Sequence, residues 1–505
     1  MTLAELIAPL PVVEREGSLG VEITGLTDDS RAVKSGSLFV AVKGERADGH
    51  AFLRQAVAAG ASALVVQERV AATIGTVTGE KAVPIVRVDD SRRALGLLAS
   101  RFHQEPSSRL SMIGVTGTNG KTTITYLCRG VLEAGGKKVG LIGTVAYHIG
   151  AERLAASHTT PGAVELQALL ARMVAAGLDA AVMEVSSHAL ALDRTAGCEF
   201  DAAVFTNLTQ DHLDFHTDLE QYFQAKLRLF TGLASVALKP RPKRAIVNVD
   251  DERGERVCKA CRVPVWTYSI KRPSDIRAED VRLSLAGTSF TAATPGGRFP
   301  VESRLVGEHN VYNMLAAIGV GLHERLSPEQ IRAGLQAVVA VPGRFERVEA
   351  GQDFTVVVDY AHTEDALARL LTAAQALKTG RIITVFGCGG DRDRGKRPKM
   401  GRVAAQMSDL VIATSDNPRS EDPMAILGEV ETGLRGTSGP NGASSRYEII
   451  PDRRLAIEAA IRAAEPGDMV LIAGKGHEDY QIVGAQRIHF DDREVARDAI
   501  DRCRR

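Results

Sequence analysis

The chain is 505 residues long, 44% hydrophobic and 25% charged, and its 62 lysines and arginines are matched by 62 aspartates and glutamates. At roughly 100 to 200 residues per domain this length holds about three domains and excludes a single small module. Zero formal charge argues against a general nucleic-acid binder, and no apolar run reaches the roughly 18 residues that a membrane span needs.

The opening segment MTLAELIAPLPVVERE carries acids where a secretory leader carries bases, so the expected location is the cytoplasm. The six cysteines, at 128, 198, 258, 261, 388 and 503, are too sparse for a disulfide scaffold. The one CxxC, Cys258 to Cys261, has no second pair and no neighbouring histidines, and reads as neither a zinc nor a redox site.

Residues 37–42 read as a strand, and a later helical stretch ends in Glu105-Pro106-Ser107-Ser108, a linker-like patch that closes a first domain at 1–108. From Leu110 apolar runs alternate with helical stretches: SMIGVT, VGLIGTV, DAAVMEV and DAAVFTN. This alternation predicts a parallel α/β sheet. A second break falls at Val341-Pro342-Gly343-Arg344, after helical stretches at 313–323 and 328–338, and bounds a central domain at 109–342. The alternation restarts in 343–505 with FTVVVDY, RIITVFG, DLVIATS and DMVLIAG, each followed by a polar or glycine-rich loop, where parallel sheets bind ligands. No repeat of solenoid period is visible, and 436–445 (GTSGPNGASS) reads as a mobile loop.

Gly114-Val-Thr-Gly-Thr-Asn-Gly-Lys-Thr-Thr123 follows an apolar strand and opens a helix, the context in which backbone amides cradle phosphates. Within it Gly117, Thr118, Asn119, Gly120, Lys121, Thr122 and Thr123 form the expected ATP-binding loop, Lys121 reaching the terminal phosphates and Thr122 binding magnesium. The strict GxxxxGK[ST] pattern fails because Val115 holds its first glycine position, and the loop reads GxxGxxGKT instead. Glu184 ends the apolar run before Val185-Ser-Ser-His188, where a hard carboxylate suits magnesium, though a surface acid would look the same.

With its TGTNGKT loop the chain resembles the Mur ligase family, the ATP-dependent amide-forming enzymes of bacterial peptidoglycan synthesis, and the resemblance extends over nearly the whole length. It implies three α/β domains: an N-terminal UDP-precursor-binding domain, a central P-loop ATPase domain, and a C-terminal Rossmann-like domain that binds an amino acid. The cofactor implied is magnesium, with ATP as co-substrate. His212, in TNLTQDHLDFH, matches a metal-binding position, and Lys226, in YFQAKLRLF, matches a lysine carried as a carbamate. A free ammonium, with a pKa of about 10.4, repels magnesium, whereas a carbamate offers it two anionic oxygens. The catalytic set implied is therefore Lys121, Glu184, His212 and Lys226.

The resemblance further assigns Asn310, in GEHNVYN, to the adenine, and Arg344 and Asp359 to phosphate and ribose. Ser30, in the TDDSR stretch, and the loop residues Glu45, Arg46 and Ala47 match uridine-side contacts. His158, Thr159 and Thr160, with Ser186 and Arg194, match the muramoyl-peptide site. Two departures stand out: Leu192 where some relatives have glutamine, placing one substrate hydrogen bond in question, and Glu364 where proline is usual, expected to loosen a turn.

Asp416-Asn417-Pro418-Arg419 follows the run DLVIA and is the family's signature for meso-diaminopimelate, whose distal carboxylate suits a bidentate pair from Arg419. Lysine lacks that carboxylate, and offering it would leave a desolvated guanidinium unpaired. Arg392, Gly474 and Glu478 are implied at the same amino acid, Glu478 pairing the distal ammonium. The expected reaction joins meso-2,6-diaminopimelate to the D-glutamate of UDP-N-acetylmuramoyl-L-alanyl-D-glutamate through an acyl phosphate. The expected partners are these small molecules alone, acting on a monomer. Three alternatives stand behind it: a lysine-adding member, disfavoured by the DNPR tetrad; a folylpolyglutamate synthase, disfavoured by the N-terminal TDDSR domain; and a non-catalytic ATP-dependent switch, which has no use for Arg392, Arg419 and Glu478.

Overall fold

The structure, a computed structural model, describes residues 1–44, 47–69, 83–211, 215–234, 239–440, 442 and 445–503. Among the described residues three large sheets follow one another along the chain, each with apolar clusters on both faces, and a fourth sheet is the hairpin of Tyr480–Val483 with Gln486–His489. Strands buried on both faces read as near-continuous apolar runs rather than alternating. The strands Ser111–Thr116, Val139–Ile142, Ala180–Glu184 and Ala202–Phe205 accordingly have every residue buried.

The first sheet has five strands in the order Val12–Glu16, Ile85–Val88, Ala61–Val66, Ser37–Val40, Gly25–Thr27. The central sheet has eleven. At its heart Ser111–Thr116 lies between Ala180–Glu184 and Ala202–Phe205, all parallel. The chain leaves Ser111–Thr116 through the helix Lys121–Ala134 to Val139–Ile142, two places away on one side, and later returns to the opposite neighbour at Ala202–Phe205. Connections therefore diverge at the end of Ser111–Thr116, which opens a crevice at its carboxyl edge. At one margin an antiparallel meander, Ile276–Ser284, Gly287–Thr294 and Gly297–Ser303, has one wetter face, and there burial alternates residue by residue.

The third sheet places Thr355–Asp359, Met469–Ala473, Ile382–Phe386 and Leu410–Ala413 side by side and parallel. Their carboxyl ends line one edge, so the loops beginning at 360, 474, 387 and 414 are neighbours although they are far apart in sequence. Below that edge Arg453 and Asp492, both fully buried, form a bidentate pair at 2.7 Å. Arg453 also donates to the carbonyls of Ala473 (3.0 Å) and Ser415 (3.4 Å), tying two of these loops to one cation. Removing one member of such a pair costs about 3–5 kcal/mol, because the other is left buried and unpaired.

Residues 105–108 are not an exposed linker. They enter a 3-10 turn, Pro106–Arg109, with Pro106 and Ser107 buried. Ser107 Oγ donates to Gly197 O at 3.3 Å and accepts from Glu199 N at 3.0 Å. Lys239 Nζ donates to Ser107 O (3.0 Å), Leu110 O (2.7 Å) and Asp201 Oδ2 (2.6 Å), stapling the segment to the central sheet. The Pro/Ser composition marks a turn correctly but carries no information about what covers it. The helical stretches expected at 313–323 and 328–338 are Glu308–His323 and Pro328–Ala337. In the glycine-rich loop near 440, Ser445 N donates to Thr437 O at 3.1 Å, and residues 441 and 443–444 lie outside the described residues.

Candidate active site

The loop 117–120 turns the strand Ser111–Thr116 into the helix Lys121–Ala134, and two of its residues must be glycine. Gly117 has φ +147°, and a Cβ there would fall 1.8 Å from Thr206 Oγ1. Gly120 has φ +90°, and its Cβ would fall 2.6 Å from Asn313 Oδ1. The next parallel strand braces the loop from its own carboxyl end. Thr206 Oγ1 donates to Asn119 O (2.6 Å), Asn207 Oδ1 accepts from Asn119 N (3.0 Å), and Asn207 O accepts from Thr118 N (2.8 Å). These braces escape the sequence reading, because they belong to an ordinary TNLT segment whose role depends on strand adjacency.

Lys121 folds back over its own loop and donates to Gly117 O (3.0 Å) and Thr118 O (2.7 Å). Burial pushes its ammonium below the ordinary lysine range, while Glu184 and Asp211 pull it back up. Glu184, at the end of Ala180–Glu184, accepts from Thr144 N (2.8 Å) and Thr144 Oγ1 (3.1 Å). Lys226, almost wholly buried, donates to Gly117 O at 2.8 Å and lies over the Tyr222 ring. Burial holds its ammonium well below the usual range, with Lys121 adding to the effect and Asp211 opposing it.

A cavity of about 660 Å³ joins these groups to the C-terminal sheet. It is lined by Thr118 to Thr123, Thr159, Glu184, Ser186, Lys226, Asn310, Arg344 and Asp359, so most of the predicted nucleotide and catalytic set converges. Arg344 Nη2 donates to Thr122 Oγ1 at 3.1 Å across the two units. Asp359 accepts from Phe345 N (2.7 Å) and Ala361 N (2.8 Å), and burial raises its carboxyl while Arg344 opposes the rise. Asn310 lines the cavity, but its amide is engaged inside its own helix, donating to Val306 O (2.8 Å) and accepting from Asn313 Nδ2 (2.9 Å).

A second bridge between the units was missed from sequence. Asp365 Oδ2, in the first turn of Glu364–Leu377, accepts from Asn119 Nδ2 (2.9 Å), Thr209 Oγ1 (3.0 Å) and Arg369 Nε (2.9 Å). The turn before it is not loosened by Glu364. Thr363 caps the helix, accepting from Ala366 N at 3.3 Å, and Glu364 adds negative charge where the helix amides favour it.

Next to the cavity, Thr160 Oγ1 donates to Glu184 O (2.8 Å) and accepts from Ser186 N (3.0 Å), and Arg194 Nη1 donates to Thr160 O (3.0 Å). Thr159 meets Thr144 at 3.0 Å, whereas the His158 side chain is exposed and its carbonyl accepts from Tyr147 Oη at 2.6 Å. Leu192 closes the short helix Ser187–Ala191 by donating its N–H to His188 O at 2.8 Å. Ser30 and Ala47 belong to the N-terminal sheet's loops and do not line the cavity. Ser30 Oγ donates to Gln55 Oε1 at 3.3 Å, and Ala47 O accepts from Gly44 N at 2.9 Å. Glu45, Arg46 and His212 lie outside the described residues.

The DNPR tetrad and its partners gather on the edge of the third sheet rather than in the cavity lining. Arg419, at φ +52°, has its backbone clamped by the hairpin that follows Tyr480: its N donates to Ile482 O (3.1 Å) and its O accepts from Gly484 N (2.8 Å). Its Nη1 donates to Gly390 O at 2.8 Å. A Cβ on Gly389 would touch both Arg419 Nη1 (2.9 Å) and Arg392 Cγ (3.8 Å), so the two arginines flank that glycine. Arg392 is exposed and bonds only as far as Asp391 O (3.0 Å). Asn417 Nδ2 donates to Glu478 Oε2 at 3.0 Å, and Gly474 leaves room for Asp416, whose Oδ2 would lie 2.9 Å from a Cβ there. Pro418, buried, separates Asn417 from Arg419 and donates nothing, but its carbonyl accepts from Glu421 N at 3.1 Å. Burial raises the Glu478 carboxyl, Asp416 adds to this, and Lys475, Asn417 and Arg419 oppose it. The loop 474–478 also packs on Gly343 and Tyr360, with the His477 and Tyr360 rings 5.0 Å apart, which places it beside the cavity wall.

Comparison with known proteins matches the chain in three stretches. Residues 22–103 match the Mur ligase family catalytic domain, 115–321 the Mur ligase middle domain, and 343–476 the Mur ligase glutamate ligase domain. The UDP-N-acetylmuramoyl-L-alanyl-D-glutamate–2,6-diaminopimelate ligase of Geobacter metallireducens is 47% identical, with 98% of this chain and 97% of the relative covered. The enzyme of the same name from Gloeobacter violaceus is 50% identical over 96% of this chain and 95% of its own. A solved structure of a ligase of that name superposes with a TM-score of 0.69 at 33% identity, covering 100% of this chain and 99% of the other. The chain belongs to the Mur ligase family.

Proposed function

We propose that this protein is an ATP-dependent ligase that joins meso-2,6-diaminopimelate to the D-glutamate of UDP-N-acetylmuramoyl-L-alanyl-D-glutamate. The observation that carries the reading is the placement of Arg419 and Glu478 on one sheet edge next to the wall of the cavity, where a zwitterionic side chain would meet both a guanidinium and a carboxylate. The names of the relatives support it.

The glutamate carboxylate attacks the γ-phosphorus of ATP, breaking its bond to the bridging oxygen and releasing ADP. The amine of diaminopimelate then attacks the acyl phosphate carbonyl, losing a proton and expelling phosphate as the amide forms. Lys121 and the loop amides hold the transferring phosphoryl group, and Arg344 approaches it from the third sheet. Ser186, Thr159, Thr160 and Arg194 orient the acceptor carboxylate. Residues 1–108 hold the uridine end through Ser30 and the 45–47 loop, 109–342 the ATP, and 343–505 the incoming amino acid through Arg392, 416–419, Gly474 and Glu478.

The donor set around Thr122 and Glu184 fits magnesium, a hard cation that takes one or two carboxylates and completes its shell with phosphate oxygens and water. Thr122, Glu184, His212 and Lys226 are the residues that would hold it, and magnesium, when bound, supplies neutralisation of phosphate charge. Lys226 suits a carbamate because carbon dioxide adds to a neutral amine, the form that its burial favours. A carbon-13 resonance from labelled carbon dioxide, absent in Lys226→Ala, is expected, and an unmodified Lys226 in active enzyme rejects the modification.

No described helix is long and apolar enough to cross a membrane. In this reading the protein acts in the cytoplasm as a monomer, on these small molecules alone. The deciding experiment offers diaminopimelate and lysine in competition, with ATP, magnesium and the UDP-muramoyl dipeptide, and reads the product by mass. A diaminopimelate adduct supports the reading. A lysine adduct overturns the arginine assignment, and no adduct overturns the ligase.

A further inference from the structure

Lys475 has no exposed surface and no assigned role; burial pushes its ammonium below the ordinary lysine range, while Asp416 and Glu478 pull it back up. In sequence it looks like a phosphate-loop lysine, lying between two glycines in GKGHE after an apolar strand, but it points away from the nucleotide cavity. Its three N–H groups meet four acceptors. Nζ donates to Tyr480 O at 2.6 Å and Asn417 Oδ1 at 3.0 Å, and its remaining hydrogen faces Asp416 Oδ1 at 3.4 Å and Glu478 Oε2 at 3.8 Å. Among the described residues Asp416 Oδ1 makes no hydrogen bond, and its contact with Lys475 is an ion pair.

We infer that Lys475 is a positioning residue for amino-acid selection, fixing Asn417 and keeping Glu478 ionised and aimed at the ammonium of the incoming zwitterion. The inference rests on the proposed function and goes beyond it, since Lys475 itself touches no substrate. Asn417 Oδ1 accepts from both Lys475 Nζ and Ile482 N (2.9 Å), which fixes its amide so that Nδ2 faces Glu478 Oε2. Glu478 is faced by Asp416 and Arg419 from the loop after Leu410–Ala413, by Lys475 from its own loop, by Arg453 from the helix Arg453–Ala463, and by Tyr360 and Tyr480. Arg453 is already committed to Asp492, and Arg419 to the substrate carboxylate in the proposed complex. Without Lys475 two carboxylates, Asp416 and Glu478, share a buried site with no cation of their own, and like charges so placed retain a proton. A protonated Glu478 cannot pair an ammonium.

The test is steady-state kinetics of Lys475→Met, which keeps the stem and removes the charge, from about pH 6.5 to about pH 8, below the range in which a free amino acid's ammonium groups, raised by their own carboxylates, titrate. Expected is a rise of about tenfold in the KM for diaminopimelate at neutral pH, shrinking as pH rises and Glu478 ionises, with the KM values for ATP and the muramoyl dipeptide within about twofold of wild type. An unchanged diaminopimelate KM, or three KM values rising together without pH recovery, overturns the inference. Should Lys475→Met fail to fold, Lys475→Met/Glu478→Gln, which removes both charges, is compared with Glu478→Gln alone. The inference expects no further rise in the diaminopimelate KM beyond about twofold, because Lys475 acts through Glu478, and a larger rise overturns it. Wild-type enzyme without diaminopimelate turnover overturns the proposed function and the inference together. Active wild type with an unmoved variant overturns the inference alone.

Discussion

The phosphate loop and the arginine–glutamate cluster both occupy the carboxyl edge of a parallel sheet, but they hold their side chains by opposite means. The phosphate loop is one contiguous segment, 114–123, whose backbone is the binding element and whose glycines are required by close contacts with Thr206 and Asn313. The amino-acid cluster is assembled from four segments, near 390, 416–419, 474–478 and 480–484, and its backbone serves to lock side chains. Anions are bound by amides that any sequence supplies once the turn is right. Telling one amino acid from another needs charges of both signs at fixed separation, and these need buried partners such as Lys475 and Arg453 to hold them.

The comparison is broken most severely at Lys121. Lys121→Ala removes a cation that the loop backbone cannot replace, and turnover measured as ADP release with saturating muramoyl dipeptide is expected to fall about a hundred- to thousand-fold. Retention of most activity would move the phosphate site elsewhere. In the other region Arg419→Ala leaves ATP binding intact and lowers kcat/KM for diaminopimelate about ten- to a hundred-fold, the cost of about 1.5–3 kcal/mol for a charged hydrogen-bonded contact. Unchanged diaminopimelate kinetics would remove Arg419 from specificity. The contrast between the two variants, one blind to the amino acid and the other to the nucleotide, is the measure of how separable the regions are.

What was legible in the sequence follows the same division. The strand–loop–helix of the phosphate loop is local, so its glycines, Lys121 and Thr122 could be placed from spacing alone. The apolar runs gave the strands of both large sheets because strands covered on both faces are mostly apolar, with only a few buried polar side chains such as Ser111, Glu184 and Thr384 among them. The cluster around Arg419 needed the family resemblance, since nothing in a DNPR tetrapeptide says that 474–478 lies beside it; strand adjacency says so, and adjacency is not local. Lys475, Asp365 and the Thr206–Asn207 braces were missed for that reason. The 105–108 patch failed differently: proline and serine report a turn, while its burial depends on Lys239, over a hundred residues away.

Asp365 ties the phosphate loop to the third sheet's unit, and it sharpens the comparison with the smallest effect. Its carboxylate, from the third sheet's first helix, bonds Asn119 of the phosphate loop and Thr209, so it stabilises the closed approach of the units. It also places a negative charge near the triphosphate, which opposes binding. The two bonds outweigh the charge at ordinary ionic strength because Asp365 is already paired to Arg369, which cancels much of its field. Asp365→Ala is therefore expected to lower kcat/KM for ATP about two- to tenfold, by shifting the units toward open arrangements, with Asp365→Asn keeping part of the loss at bay through its remaining acceptor. Tighter ATP binding in both variants would mean that the charge dominates and that closure rests on other contacts, such as Arg344 with Thr122 and Arg347 with Leu285 O.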